Sequence, residues 1–444
     1  MSQQSLVLSF FFMFVSFGLS FGSYMENTRY RTSYPRYTWP GRLVTPNHEH
    51  SGLANWADRY TLSALSQRMV IVDDYGAKPN DEGDDTRAFE KAWNVACSTG
   101  SVLVVPEKSV YYLKLITFSG PCQLNTAFTI RGEIIAWPDM SAYESTGKSG
   151  LKYWIMFYGV TNLIVDGGGI INGNGRNWWL NSCKINKNLP CKDAPTAVTF
   201  VACNSLKVAN LKFHDAQQMH IRIQGCKNVR VLDLEIRAPG DSPNTDGIHV
   251  TDTQDITISH SDIMTGDDCI SIVSGSQQVR AMNITCGPGH GISIGSLGVD
   301  NSEAEVYDVL VNKSTLIGTT NGVRIKTWQG GSGYARNITF MNIEMRNVTY
   351  PIIIDQNYCD QGAPCQEKQN SAVELSGVRY QNIRGTSASE VAIKFNCSET
   401  IPCKGVYMQD VILTPEDGAG IKASCVNVQY VNRGKLFPQC DPYN

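Results

Sequence analysis

The chain has 444 residues, 42% of them hydrophobic, with 39 glycines and 18 prolines spread along it. That composition supports a packed core and excludes a disordered chain. Its 38 Lys and Arg against 41 Asp and Glu give a net charge of −3, and no long basic block follows residue 46, so no nucleic-acid partner is expected.

Residues 1–22, MSQQSLVLSFFFMFVSFGLSFG, form an uncharged start, a Phe-rich apolar run and then small residues. This pattern predicts a secretory signal cleaved after Gly22. No later apolar stretch approaches the length of a membrane span, so no integral membrane segment is expected in the mature form, with a monomer as the default assembly. Residues 23–68, rich in Arg, Tyr, Pro and His, read as a flexible or processed leader with a short helical segment near 61–68. The ordered domain is expected over 69–444, opening with the strand VIVDDYGAKP. In DDTRAFEKAWNVAC, Ala88, Phe89, Ala92, Trp93 and Ala96 recur at helical spacing, and Asp84, Asp85 or Thr86 stands ready to cap the start.

Beyond that helix the chain repeats short strands and polar turns. GIHV, CISI, GISI and GVRI place Ile248, Ile270, Ile292 and Val323 at intervals of 22, 22 and 31 residues. Repetition at this period predicts a solenoid. An all-β, right-handed parallel β-helix fits it better than a propeller or sandwich, with the early helix capping the open first coil. Ile248, Val250, Ile270, Ile272, Ile292, Ile294, Val323 and Ile325 would then face inward, their alternate neighbours outward.

The register gathers chemistry. Asp246, Asp268 and His290 each lie two residues before a stacked isoleucine, so they occupy equivalent places on successive coils, with Asp267 beside Asp268. Arg324 and Lys326 follow on a later coil, and Tyr358 on one later still. Such a cluster supports glycosidic hydrolysis: one acid protonates the departing oxygen while another carboxylate activates water. For inversion those groups are expected roughly 6.5–9.5 Å apart. Two cations point to an anionic, carboxylate-bearing sugar, and no cofactor or metal is required.

Fourteen cysteines, Cys203 and Cys226 among them, follow the signal. An even number in an exported chain favours disulfides. Cys359 with Cys365 and Cys397 with Cys403 suit short loops, and Cys425 and Cys440 are further candidates. Sequons at Asn283, Asn312, Asn337, Asn347 and Asn396 agree with export.

The segments NTD at 244–246, GDD at 266–268, GHG at 289–291 and RIK at 324–326 resemble, in order and spacing, the four signatures of plant polygalacturonases. The likeness runs over roughly residues 69–440. It implies a secreted cell-wall glycosidase that hydrolyses α-1,4 linkages of demethylated homogalacturonan with inversion, pectic polysaccharide being its partner. By the same resemblance Asp267 is the general acid, Asp246 and Asp268 activate water, and His290 organises the site. Arg324, Lys326 and Tyr358 would contact substrate, and Cys269 would pair with Cys286. Endo or exo action is left open. A calcium-dependent pectin or pectate lyase, or a non-catalytic pectin-binding wall protein, are the alternatives.

Overall fold

The computed structural model describes residues 68–143, 152–359, 369, 372–418 and 420–440. The signal, the leader through residue 67 and Cys365 lie outside the described residues.

The chain winds into a right-handed parallel β-helix. Eleven strands stack in chain order to form one of its walls among the described residues. They are β1 (Ile116–Ser119), β2 (Tyr153–Tyr158), β3 (Thr196–Val201), β4 (Ile221–Gln224), β5 (Ile248–Thr251), β6 (Ile270–Ile272), β7 (Ile292–Leu297), β8 (Asn321–Trp328), β9 (Tyr350–Tyr358), β10 (Val391–Asn396) and β11 (Lys422–Val426). The expected register holds: Ile248 pairs with Ile270, Ile270 with Ile292 and Ile292 with Val323. All four are fully buried, as are Val250, Ile272, Ile294 and Ile325.

A helix, α1 (Thr86–Thr99), covers the first coil. Asp84 holds its start, its Oδ1 accepting the Thr86 N–H at 3.0 Å, and Gly100 ends it in the left-handed region. The apolar stripe read from sequence is the buried face. Phe89 packs edge-on against Tyr111 and Phe128, and Trp93 packs against Phe118 and Phe157.

The other walls differ from the short strands expected. Their strands run as long as 17 residues, at Ser332–Val348. Continuous pairing survives the corners because single residues turn them with positive φ: Asn210, Asp233, His260 and Asn283 on successive coils. Asn and Asp tolerate this region best among residues with a side chain. At the same corner on later coils an amide ladder forms, Asn382 donating to Asn342 at 2.7 Å and Asn342 to Asn312 at 2.9 Å.

Disulfides join Cys97–Cys122, Cys183–Cys191, Cys269–Cys286, Cys397–Cys403 and Cys425–Cys440, and Cys359 is also disulfide-bonded. Cys203 and Cys226, outside the disulfide candidates named from the sequence, are buried free thiols. They stack with Thr253 and Ser276 at one turn position, each just before the register-paired Asn204, Lys227, Gln254 and Gln277. There they take the part of a hydroxyl. Cys226 Sγ accepts the Cys203 N–H at 3.3 Å, as Thr253 Oγ1 accepts the Cys226 N–H. Of the sequons, Asn283, Asn337 and Asn347 are exposed, whereas Asn312 accepts within the ladder and Asn396 donates to Asp355 at 2.9 Å.

Candidate active site

Outward side chains of β5 to β8, with the turns that lead into those strands, build one cluster. Asn244 adopts φ +57°, and its turn presents Asp246 just before β5. That turn is tied to the next by the Gly266 N–H, which donates to Thr245 Oγ1 at 2.9 Å. Asn244 Nδ2 also reaches Asp267 Oδ2 at 3.5 Å. Gly289, at φ +140°, lets the following coil approach closely; a Cβ there would lie 2.6 Å from the Asp267 carbonyl oxygen. His290 is thereby fixed twice to Asp267, its N–H donating to the Asp267 carbonyl at 2.8 Å and its Nδ1 lying 2.9 Å from Asp267 Oδ1.

Asp268 is the anchor. Its side chain is 2% exposed and accepts from Arg324 Nη2 at 2.8 Å, Lys326 Nζ at 3.0 Å and Ser293 Oγ at 2.8 Å. Burial opposes ionisation of Asp268, but Lys326 and Arg324 outweigh it and hold the carboxyl below the usual range. The same pairing keeps buried Lys326 charged against desolvation. Asp246 differs. Burial, followed by the charges of Asp267 and Asp268, pushes it well above the ordinary carboxylate range, and its one hydroxyl partner is Ser271 Oγ at 2.6 Å. Asp246 therefore holds its proton more tightly than an isolated acid would, while Asp268 beside it stays ionised.

Every site residue expected from sequence is therefore in one place except Tyr358, which stands at its edge. There the Tyr358 ring lies 5.4 Å from Lys326 Nζ and packs edge-on against Trp328 at 5.5 Å. Asp267 and Asp268, neighbours in one turn, bring a carboxylate oxygen each within 4.8 Å of the other and of a His290 ring nitrogen.

Asn244, His249, Ser271 and Ser293 belong to the site but were not expected from the sequence. His249 Nδ1 lies 2.8 Å from Ser271 Oγ, and burial together with Arg222 pushes that imidazole down to about 3, so it is neutral. The signal was present. His249, Ser271, Ser293 and Arg324 each follow a stacked core residue by one and pair in register, which puts them on the cleft side of the wall. On the short helix α2 (Arg176–Leu180), Trp178 packs edge-on against Tyr143, and the Trp179 Nε1–H donates to the Ala216 carbonyl at 3.1 Å.

The family model for glycosyl hydrolases family 28 matches residues 97–435. The chain is 57% identical to polygalacturonase QRT2 of Arabidopsis thaliana over 379 residues, covering 84% of this chain and 85% of that protein. It is 55% identical to polygalacturonase-2 of Solanum lycopersicum, over 84% of this chain and 81% of the relative. Among solved structures, the hyperthermoactive exopolygalacturonase of Thermotoga maritima shares the fold. It matches with a TM-score of 0.68 at 20% identity, covering 85% of this chain and 95% of that one. A family match over most of its length, on a β-helix that brings four motifs to one cleft, means that the chain belongs to glycosyl hydrolase family 28.

Proposed function

We propose that the protein is a polygalacturonase that hydrolyses α-1,4-galacturonosidic bonds of demethylated homogalacturonan with inversion, outside the cell in the wall. The observation that carries this reading is a carboxylate held ionised by two cations, Asp268 with Arg324 and Lys326, beside a second carboxyl that binds its proton tightly, Asp246. High identity to two plant polygalacturonases supports the substrate class. Disulfides such as Cys269–Cys286 suit an oxidising compartment.

Asp267, the most exposed of the three acids at 18% of its side chain, donates the proton to the departing oxygen. Asp268 and Asp246 orient and deprotonate water. The raised proton affinity of Asp246 makes it the stronger acceptor once ionised. Access supports inversion. A retaining enzyme needs a carboxylate to attack the sugar carbon, and Asp268, with both oxygens engaged and 2% exposure, is placed to act through water.

A calcium-dependent lyase is the reading favoured by the grouping of Asp267, Asp268 and His290 within ligand reach of one another. Calcium takes six to eight oxygen ligands, and here one acid is already neutralised by Arg324 and Lys326 and the third group is an imidazole.

The test uses purified protein and polygalacturonate. Wild type is expected to release reducing ends unaffected by chelator, without ultraviolet-absorbing unsaturated products, and with the β-anomer appearing first by proton NMR. Asp267→Asn is expected to lose at least ~100-fold in kcat, the usual size of a positioned acid's contribution, with its melting temperature nearly unchanged. Near-normal turnover by that variant removes Asp267 from the role. An initial α-anomer removes inversion.

A further inference from the structure

Arg222 lies on β4, one coil before the acids. It pairs in register with His249, which leads through Ser271 and Ser293 to Arg324. This stretch of the column thus has an arginine at either end, and the catalytic acids flank its middle. The two ends differ in what they hold. Arg324 is engaged by Asp268 and Ser293. The Arg222 side chain has no ion pair or hydrogen bond among the described residues, and its Nε is buried without a partner. Two neighbours share that condition. Thr199, paired with Arg222 on β3, has an unpartnered buried Oγ1, and Gln224, two residues along on the same face of β4, has an unpartnered buried Oε1.

Buried polar atoms are rarely left unmatched, and several orphans in one patch point to a missing ligand. Here the patch offers a guanidinium, a hydroxyl and an amide carbonyl. Those are the partners of a sugar bearing a carboxylate and hydroxyls. Four coil steps separate Arg222 from Arg324, about 19 Å at the backbone, so one polymer chain can lie over both. Asp252 attracts the Arg222 charge, and burial outweighs that attraction.

We infer that Arg222, with Gln224 and Thr199, forms a second carboxylate-binding subsite for the same polyuronate chain, across the catalytic acids from Arg324 and Lys326. This rests on the polygalacturonase reading and goes beyond it: free carboxylates are read on both sides of the bond to be cut. A methyl ester on the sugar over Arg222 removes the charge that this subsite reads.

The experiment compares wild type, Arg222→Met and Arg222→Lys on polygalacturonates of increasing methyl esterification. Arg222→Met is expected to raise KM on demethylated polymer roughly tenfold, about the value of one charge-assisted contact, while kcat stays within about twofold. That KM ratio should fall toward one as esterification rises, and Arg222→Lys should recover part of the loss. An unchanged KM, or a penalty independent of esterification, overturns the subsite, since a merely structural arginine would produce the latter. In the Asp267→Asn background, calorimetry with demethylated oligogalacturonate should show the same weakening on adding Arg222→Met; equal affinities overturn it. Wild type that binds the oligomer yet releases no reducing ends refutes the polygalacturonase reading and leaves the binding comparison to decide the subsite.

Discussion

Asp246 is 8% exposed, its carboxyl faces the charges of Asp267 and Asp268, and the Ser271 hydroxyl and the charge of Lys326 compensate it only in part. Burial and those two charges lift its folded pKa well above the ordinary carboxylate value of 3.8. A group raised this way contributes its full share of stability below its unfolded pKa and loses it as pH rises through the folded one. Every tenfold gain in proton affinity on folding sets about 1.4 kcal/mol against the fold once the acid must ionise. Asp246→Asn keeps an oxygen for the Ser271 hydroxyl and cannot ionise. The variant is therefore expected to be inactive yet more stable than wild type near pH 7, by roughly 1–3 kcal/mol. The gain should shrink as pH falls through the folded pKa and vanish below about 3.8, where wild-type Asp246 is protonated in both states. Thermal melts of both proteins from about pH 3 to about pH 7 read this directly; a constant difference across that range would mean that ionisation is not its source.

Stacked columns are the elements that convert local sequence into function here, and they were unevenly legible. The core isoleucines announced their register because a β-branched residue at a fixed phase is a strong apolar signal. Asp246, Asp268 and His290 inherited that register and were placed correctly. Ser271 and Ser293 occupy the same repeat but carry no charge, and isolated serines look like any exposed strand residue. The thiol column was not legible for a different reason. A count of cysteines is silent on Cys203 and Cys226, which align with Thr253 and Ser276 as backbone-satisfying side chains. Cys226→Ser should retain an acceptor for the Cys203 N–H, and Cys226→Val should abolish it at a cost of about 1–3 kcal/mol. Urea denaturation is expected to rank wild type and the serine variant well above the valine variant. Valine equal to serine would show that packing, not the acceptor, fixes this position.

At the scale of the molecule, each coil touches only its neighbours, so stability is close to a sum of coil and interface terms and damage stays local. The disulfides lie at unequal distances from the chemistry. Cys269–Cys286 begins at the residue after Asp268 and ends one coil on, ahead of the GHG turn that carries His290. Cys425–Cys440 ties β11 to the last described residue, beyond β9 and β10 from the site. Its loss frees a 15-residue separation, for which loop closure alone is worth about 3 kcal/mol. Replacing Cys425 and Cys440 by Ser should therefore increase hydrogen exchange in β11 and in Val428–Phe437, leaving kcat/KM on polygalacturonate within about twofold of wild type. The corresponding Cys269 and Cys286 replacement should cost at least ~tenfold in kcat/KM, because small misplacements of reacting groups are expensive, and should raise exchange between residues 266 and 291. Loss of activity from the distal pair equal to that from the central pair would mean that the coils unfold as one cooperative body rather than neighbour by neighbour.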